Sequence, residues 1–234
     1  MKEEYLKYHS PTLGIDIEML IFGHAGLPII IFPTTKGKYF ESRDFKLIEA
    51  VRPYVEAGKI KLYCPDSVDA YSWYNKKIHP SIRVRNHMRY DEFIEHEIVD
   101  AIRTANGIQK VGVAGASFGA FQALNFAFRH PEKVSHLMAM SGNFDISSFM
   151  DGYYDDNVYF NNPIDYMPGN NNPELWNMKI VLAAGEDDIC LDATRDMAAI
   201  LDKKNIEHWF DFHRWAKHDW PLWNAMFPKY VAAL

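Results

Sequence analysis

Gly115-Ala116-Ser117-Phe118-Gly119 decides the reading of this chain. The pentapeptide has the G-x-S-x-G form of a nucleophile elbow, a serine on a sharp turn between a strand and a helix. Such a short match occurs by chance, so its flanks carry the weight. Lys110 to Ala114 (KVGVA) is a β-type run directly before it. Phe118 to Arg129 (FGAFQALNFAFR), rich in alanine and aromatics, reads as a helix directly after it. A strand running straight into a helix forces the turn residue into strained backbone angles and lifts its side chain above the sheet. The residues two before and two after the serine then approach each other, which suits Gly115 and Gly119. The helix N-terminus beneath the serine favours developing negative charge.

Outward from the elbow, apolar runs alternate with amphipathic stretches. Ile15 to Phe22 begins in strict alternation and reads as an exposed antiparallel strand at the sheet edge. After a turn at Gly23 to Gly26, Pro28 to Phe32 is solidly apolar and reads as a buried strand. Arg43 to Ala57 has helical spacing (Phe45, Ile48, Val51, Val55), and Lys59 to Cys64 is the next strand. Tyr90 to Ala105 is a second helix, stopped by Asn106-Gly107. Beyond the elbow come strands Val134 to Met140, Lys179 to Ala184 and Glu207 to Phe212, with helices Asp192 to Lys203 and Trp220 to Ala233. The rhythm predicts a mostly parallel twisted sheet with helices on both faces; with the nucleophile elbow at its centre, the expected fold is that of an α/β hydrolase with no separate cap domain. Ser141 to Asn177, rich in Asn, Asp, Tyr, Gly and Pro, is too long for an ordinary connection. We expect one domain over residues 1–234, with a loop-rich insertion at 141–177 forming part of a pocket wall.

Composition narrows the function classes. At 234 residues the chain suits one sizeable core. The net charge of −6 and the lack of any long Lys/Arg run argue against a nucleic-acid partner. No apolar run approaches a membrane span, and the start, MKEEYLKYHS, has no signal-peptide core. Two cysteines, Cys64 and Cys190, fit free thiols in a reducing cytoplasm better than a disulfide framework. The expected location is therefore cytoplasmic.

In this fold an acid and then a histidine follow the serine along the chain. His136 and His208 fall within or beside apolar strands, whereas His213 and His218 follow the last strand. His218, directly before the last helix, is the first choice for the base and His213 the second. Gly185-Glu186-Asp187-Asp188 ends a strand, where a carboxylate can hold an imidazole in the required tautomer; Asp188 leads and Asp187 is the alternative. An oxyanion hole needs two backbone donors. One is expected from Phe118 and the other from the loop Phe32 to Gly37, with Thr35 ahead of Thr34.

Other residues have two readings each. Glu92 and His96 have a metal-binding spacing but no evident third ligand, so a solvated helix face is preferred and no metal is expected. His87 near Arg83, Arg85 and Arg89 reads as a solvated surface ahead of an anion site. Trp73, Tyr74, Tyr153, Tyr154, Tyr159 and Trp220 either line an acyl or aryl pocket or pack the core and the long loop, and Trp73, Tyr74 and Trp220 are the ones expected to bind substrate. Cys190 reads as a small buried side chain.

With these pieces in place, the chain resembles the esterase family of α/β hydrolases that includes S-formylglutathione hydrolase (esterase D), feruloyl and enterochelin esterases and mycobacterial mycolyltransferases. The resemblance rests on Gly115 to Gly119, on Gly185-Glu186-Asp187-Asp188, and on His218-Asp219-Trp220 with Trp223 behind it. That family carries its acid three residues after the glycine, which implies Asp188, and its C-terminal histidine motif implies His218. Asp69 to Tyr74 (DAYSWY) is similar to the loop that rims the site in such esterases. Many relatives have His-Gly or Ser-Gly where this chain has Pro33-Thr34, a departure that bears on the second oxyanion donor.

The function expected is hydrolysis of small or short-acyl carboxylic esters through Ser117, His218 and Asp188. The alternatives are an acyltransferase of the same fold and a non-catalytic binding module. No cofactor is implied, the partner is a small-molecule ester, and association into a homo-oligomer stays open.

Overall fold

The computed structural model describes residues 1–234. Its strands are β1 (Glu3–Ser10), β2 (Ile15–Phe22), β3 (Leu27–Phe32), β4 (Ile60–Pro65), β5 (Val111–Ala116), β6 (Val134–Met140), β7 (Lys179–Asp187) and β8 (Trp209–Lys217). They form one sheet in the order β1-β2-β4-β3-β5-β6-β7-β8. The β1/β2 and β2/β4 pairs are antiparallel and all others parallel. The elbow strand β5 is thus central, flanked by β3 and β6, and the carboxyl ends of β3, β5, β7 and β8 converge on one edge.

Helices cover both faces. Three short turns, α1 (Glu41–Asp44), α2 (Leu47–Ala50) and α3 (Arg52–Glu56), lead into β4. Then α4 (Pro80–Glu92) and α5 (Asp100–Asn106) run on through a π-helical stretch at Phe93–Val99. The elbow helix is α6 (Phe118–Arg129); the turns α7 (Asp156–Tyr159) and α8 (Pro163–Tyr166) lie in the 141–177 segment. Finally α9 (Leu191–Lys203) and α10 (Trp220–Ala232) alternate with β7 and β8. No helix is long and apolar enough to cross a membrane.

Strand periodicity divides the core. In β3, Ile30 faces the layer of α4, α6 and α9, whereas Ile29 and Ile31 face the layer of α2, α3 and α10. β5 does the same, sending Val111 and Val113 one way and Ala114 and Ala116 the other. A buried strand of a parallel sheet is apolar on both faces, which is why these runs lack alternation. A third, smaller cluster joins Trp73, Phe118 and Phe121 to Ile146, Met150 and Val158, so the 141–177 segment packs against the elbow helix.

Five expectations are corrected. The edge strand is β1, not Ile15–Phe22; β2 lies one strand in, and most of it is buried. The run Arg43 to Ala57 is not one helix. Lys46 at φ 73° breaks it, and Phe45 is half exposed instead of facing the core. The second helix starts at Pro80, ten residues before the expected Tyr90, with Pro at its first position and the His79 ring accepting the Ser81 N–H. Its early buried face is polar: Arg83 and His87 are buried where a solvated surface was expected. Lastly, β8 runs five residues past Phe212, so His213 lies within a strand and not after it.

Candidate active site

The elbow is built as its sequence requires. Ser117 has φ 55° and ψ −123°, a combination costly for a residue with a Cβ. Its N–H donates to the Met140 carbonyl at 2.9 Å, which ties the turn to β6. A Cβ on Gly115 would collide with the Gly119 carbonyl, and one on Gly119 with the carbonyls of Phe32 and Pro33. Both positions therefore demand glycine for space, and the second lets α6 approach the loop after β3.

Three side chains from three elements form one hydrogen-bonded line. Ser117 Oγ lies 2.9 Å from His218 Nε2, and His218 Nδ1 lies 2.8 Å from Asp188 Oδ1. Asp188 follows β7 and His218 follows β8. The neighbouring Asp187 is exposed at the end of β7. His213 stands opposite Gly185 and bonds Asp211 at 2.7 Å, away from the serine. The register shift between Gly185 and Asp187, with Trp215 at φ 59° on β8, adds length to β8 there and delivers position 218 to the serine.

The acid and the ring are held from several sides. Asp188 Oδ1 also accepts the Cys190 N–H at 2.8 Å. Burial pushes the Asp188 carboxyl up, but hydrogen bonding to His218 and the Cys190 N–H outweighs it and leaves the pKa below the usual carboxylate range. Trp223 stands edge-on to the His218 ring at 5.2 Å, and its indole N–H donates to Ser141 Oγ. The His218 side chain keeps 18 % of its surface exposed, so water reaches it.

A cavity of about 180 Å³ opens above this line. It is walled by Tyr74, Phe118, Phe149, Asn143, Asp145, Ile189 and Cys190, with Thr35, Ser117 and His218 at the base. Larger cavities lie elsewhere, such as one beneath the amino ends of β6 and β7, but none contains the serine. Tyr74 reaches the site as expected and bonds Thr35 Oγ1 at 3.1 Å. Trp73 does not: it is fully buried beside His87 and Phe121 and supports the wall from behind. Trp220 does not line the cavity either, because it stacks flat on Phe45 at 4.8 Å. Asn143, Asp145 and Phe149 come from the 141–177 segment, and no local motif marked them individually.

Phe118 and Thr35 line the same cavity as the serine, and each has a backbone N–H to account for. The Phe118 N–H opens α6, where no preceding turn supplies an acceptor. In the loop after β3, Thr34 N–H donates to Glu41 Oε2 at 2.8 Å and Lys36 N–H to Asp69 Oδ2 at 3.1 Å. Between them, the Thr35 N–H has no partner within the protein. Thr34 is thereby eliminated as a free donor.

Two groups of potential metal ligands occur. Cys190 joins Asp188 and His218 with ligand atoms within 4.8 Å, and Glu95 groups with His130 and Glu132. In the first, Asp188 and His218 already bond each other; in the second, Lys133 sits 2.7 Å from Glu95. Glu92 joins neither group, and His96 pairs with Glu95 and Asp100. Burial, with the Asp188 charge, raises the Cys190 thiol to about 12.

Comparison with known proteins follows the same lines. A search of the curated proteins returned no match. Among solved structures, the chain is similar to S-formylglutathione hydrolase from Staphylococcus aureus (TM-score 0.78, 15% identity, covering 99% of this chain and 98% of that one). It is similar to the S-formylglutathione hydrolase of Agrobacterium tumefaciens (TM-score 0.78, 13% identity, 99% and 93%). A ferulic acid esterase from Anaeromyces mucronatus, solved with ferulic acid, matches at TM-score 0.69 (14% identity, 98% and 89%). At such identities these likenesses show a shared α/β-hydrolase fold. Residues 68–234 match the family model described as "Putative esterase". That stretch is most of the chain and contains the elbow, the acid and the histidine, and the protein therefore belongs to this esterase family of carboxylic-ester hydrolases.

Proposed function

We propose that the protein hydrolyses small, short-acyl carboxylic esters through an acyl-enzyme on Ser117. The unbroken hydrogen-bonded line Ser117–His218–Asp188 beneath an open cavity carries this reading. His218 Nε2 takes the hydroxyl proton as Ser117 Oγ attacks the ester carbon. The carbonyl π pair moves onto oxygen, where the N–H groups of Phe118 and Thr35 stabilise it. Asp188 holds the His218 tautomer and offsets the imidazolium charge. When the intermediate collapses, the ester C–O bond breaks, and the departing alkoxide takes the proton from His218. Water then enters, gives a proton to His218 and attacks the acyl carbon; Ser117 Oγ leaves, recovers the proton, and the acid departs.

Two features support short acyl groups and water as the acceptor. The cavity is small and closed at its sides by Tyr74, Phe118 and Phe149. His218 is partly exposed, so solvent competes well for the acyl-enzyme. The test is a panel of p-nitrophenyl esters from acetate to octanoate on wild type and Ser117→Ala. The expected result is activity confined to wild type and greatest on the short chains. Equal activity in Ser117→Ala rejects the mechanism.

A further inference from the structure

Carboxylates hold most of the donors in and beside the loop after β3, leaving the Thr35 N–H unclaimed. Glu41 takes both the N–H and the hydroxyl of Thr34, at 2.8 and 2.6 Å. Asp66 takes the Tyr39 N–H and the Lys38 ammonium, each at 2.9 Å. Asp69 differs from these in what it joins. Its Oδ2 accepts the Lys36 N–H, and its Oδ1 accepts Gln122 Nε2, also at 3.1 Å. Gln122 lies on α6, the helix whose first N–H belongs to Phe118. Asp69 is wholly buried and Gln122 nearly so, with no cation paired to the carboxylate.

An uncompensated buried carboxylate is costly, because burial strips its hydration. Here burial raises the Asp69 carboxyl to about 7 against the pull of its two hydrogen bonds. A neutral residue of similar size would pack without that cost. What a carboxylate supplies, and an amide does not, is two acceptors facing two donors at once.

We propose that Asp69 is a positioning residue that couples the two halves of the oxyanion hole, holding the Thr35 N–H in register with the Phe118 N–H by clamping Lys36 to Gln122. The inference rests on the proposed roles of Thr35 and Phe118 and extends them to residues that never touch substrate. An oxyanion forms only in the transition state, so loosening the clamp acts on kcat and leaves KM nearly unchanged.

The hydrogen-bond polarity supplies the test. In Asp69→Asn the amide oxygen accepts the Lys36 N–H, and a flip of the Gln122 amide lets its Oε1 accept the new NH₂, so the clamp survives; Asp69→Ala offers neither partner an acceptor. Wild type, Asp69→Asn, Asp69→Ala and Ser117→Ala are compared on p-nitrophenyl acetate, each normalised to its fluorophosphonate-titrated serine. Expected is a fall in kcat of roughly tenfold in Asp69→Ala at near-constant KM, with Asp69→Asn within about threefold of wild type. A wild-type kcat per titrated serine in Asp69→Ala overturns the inference alone, as does an equal fall in Asp69→Asn. A wild type with no more activity than Ser117→Ala overturns the esterase reading and this inference with it.

Discussion

Asp188 Oδ1 accepts two hydrogen bonds at 2.8 Å, one from the His218 ring and one from the Cys190 N–H, which fixes the carboxylate before it orients the histidine. The N–H at position 190 therefore gives the acid a second hold beside that of the ring. Asp188→Asn should retain the Cys190 contact and the fold while losing the tautomer control. We expect kcat to fall by roughly 10³-fold or more with Tm changed by only a few degrees. Steady-state kinetics beside thermal denaturation separates the two effects.

Cys190 walls the cavity two residues from the acid, yet burial and the Asp188 charge keep its thiol protonated up to about 12. A protonated thiol is a poor nucleophile. Iodoacetamide at pH 8 should alkylate it far more slowly than free cysteine, and Cys190→Ala should keep wild-type kcat to within about threefold. Mass spectrometry of the labelled protein and a rate measurement on the variant check both.

Phe118, Phe149 and Tyr74 wall one side of the cavity above Ser117. Phe149 rests on Tyr74 and Phe118 with ring centroids 5.0 and 5.6 Å apart. Phe149→Ala should open that side and shift the preferred acyl chain to longer esters. The ratio of kcat/KM for octanoate over acetate is expected to rise by roughly tenfold or more.

Asp91 on α4 is buried, bonded to His130 at 2.7 Å with Arg129 at 3.3 Å. Burial pushes its carboxyl up, but the His130 hydrogen bond and the Arg129 charge outweigh this and hold it below the usual range. The unfolded carboxyl thus binds a proton more readily than the folded one. Its stabilisation is present above the unfolded pKa of about 3.9 and lost as pH falls through the folded value. Asp91→Asn should cost about 2 kcal/mol near neutrality, with the gap to wild type closing in acid. Denaturant titrations at several pH values measure that gap.

Ser117, Asp188 and His218 stand out in the sequence because they sit in local motifs. Gly115 to Gly119 reads as an elbow from five letters and their flanks, and strands such as β6 and helices such as α6 have bounds that periodicity alone recovers. What stayed hidden has non-local causes. β1 alternates only weakly, since seven of its eight residues keep some exposure, so its charged sequence does not look like a strand. The first half of α4 buries Arg83 and His87, and a hydropathy pattern cannot see a buried face that is polar. Arg83 is accommodated by Asp151 and by the carbonyls of Asn75, Lys76 and Phe149, partners set by tertiary packing. The choice between His213 and His218 turns on extra length in β8, and the clamps on the loop after β3 join residues far apart in sequence.

The most direct test of the account is where a fluorophosphonate lands. Intact-mass and peptide-mapping spectrometry should find one phosphonyl group per chain on Ser117, none in Ser117→Ala, and labelling slowed by roughly 10³-fold or more in His218→Ala. An adduct on another residue, or labelling of Ser117 at an unchanged rate without the His218 ring, would contradict it.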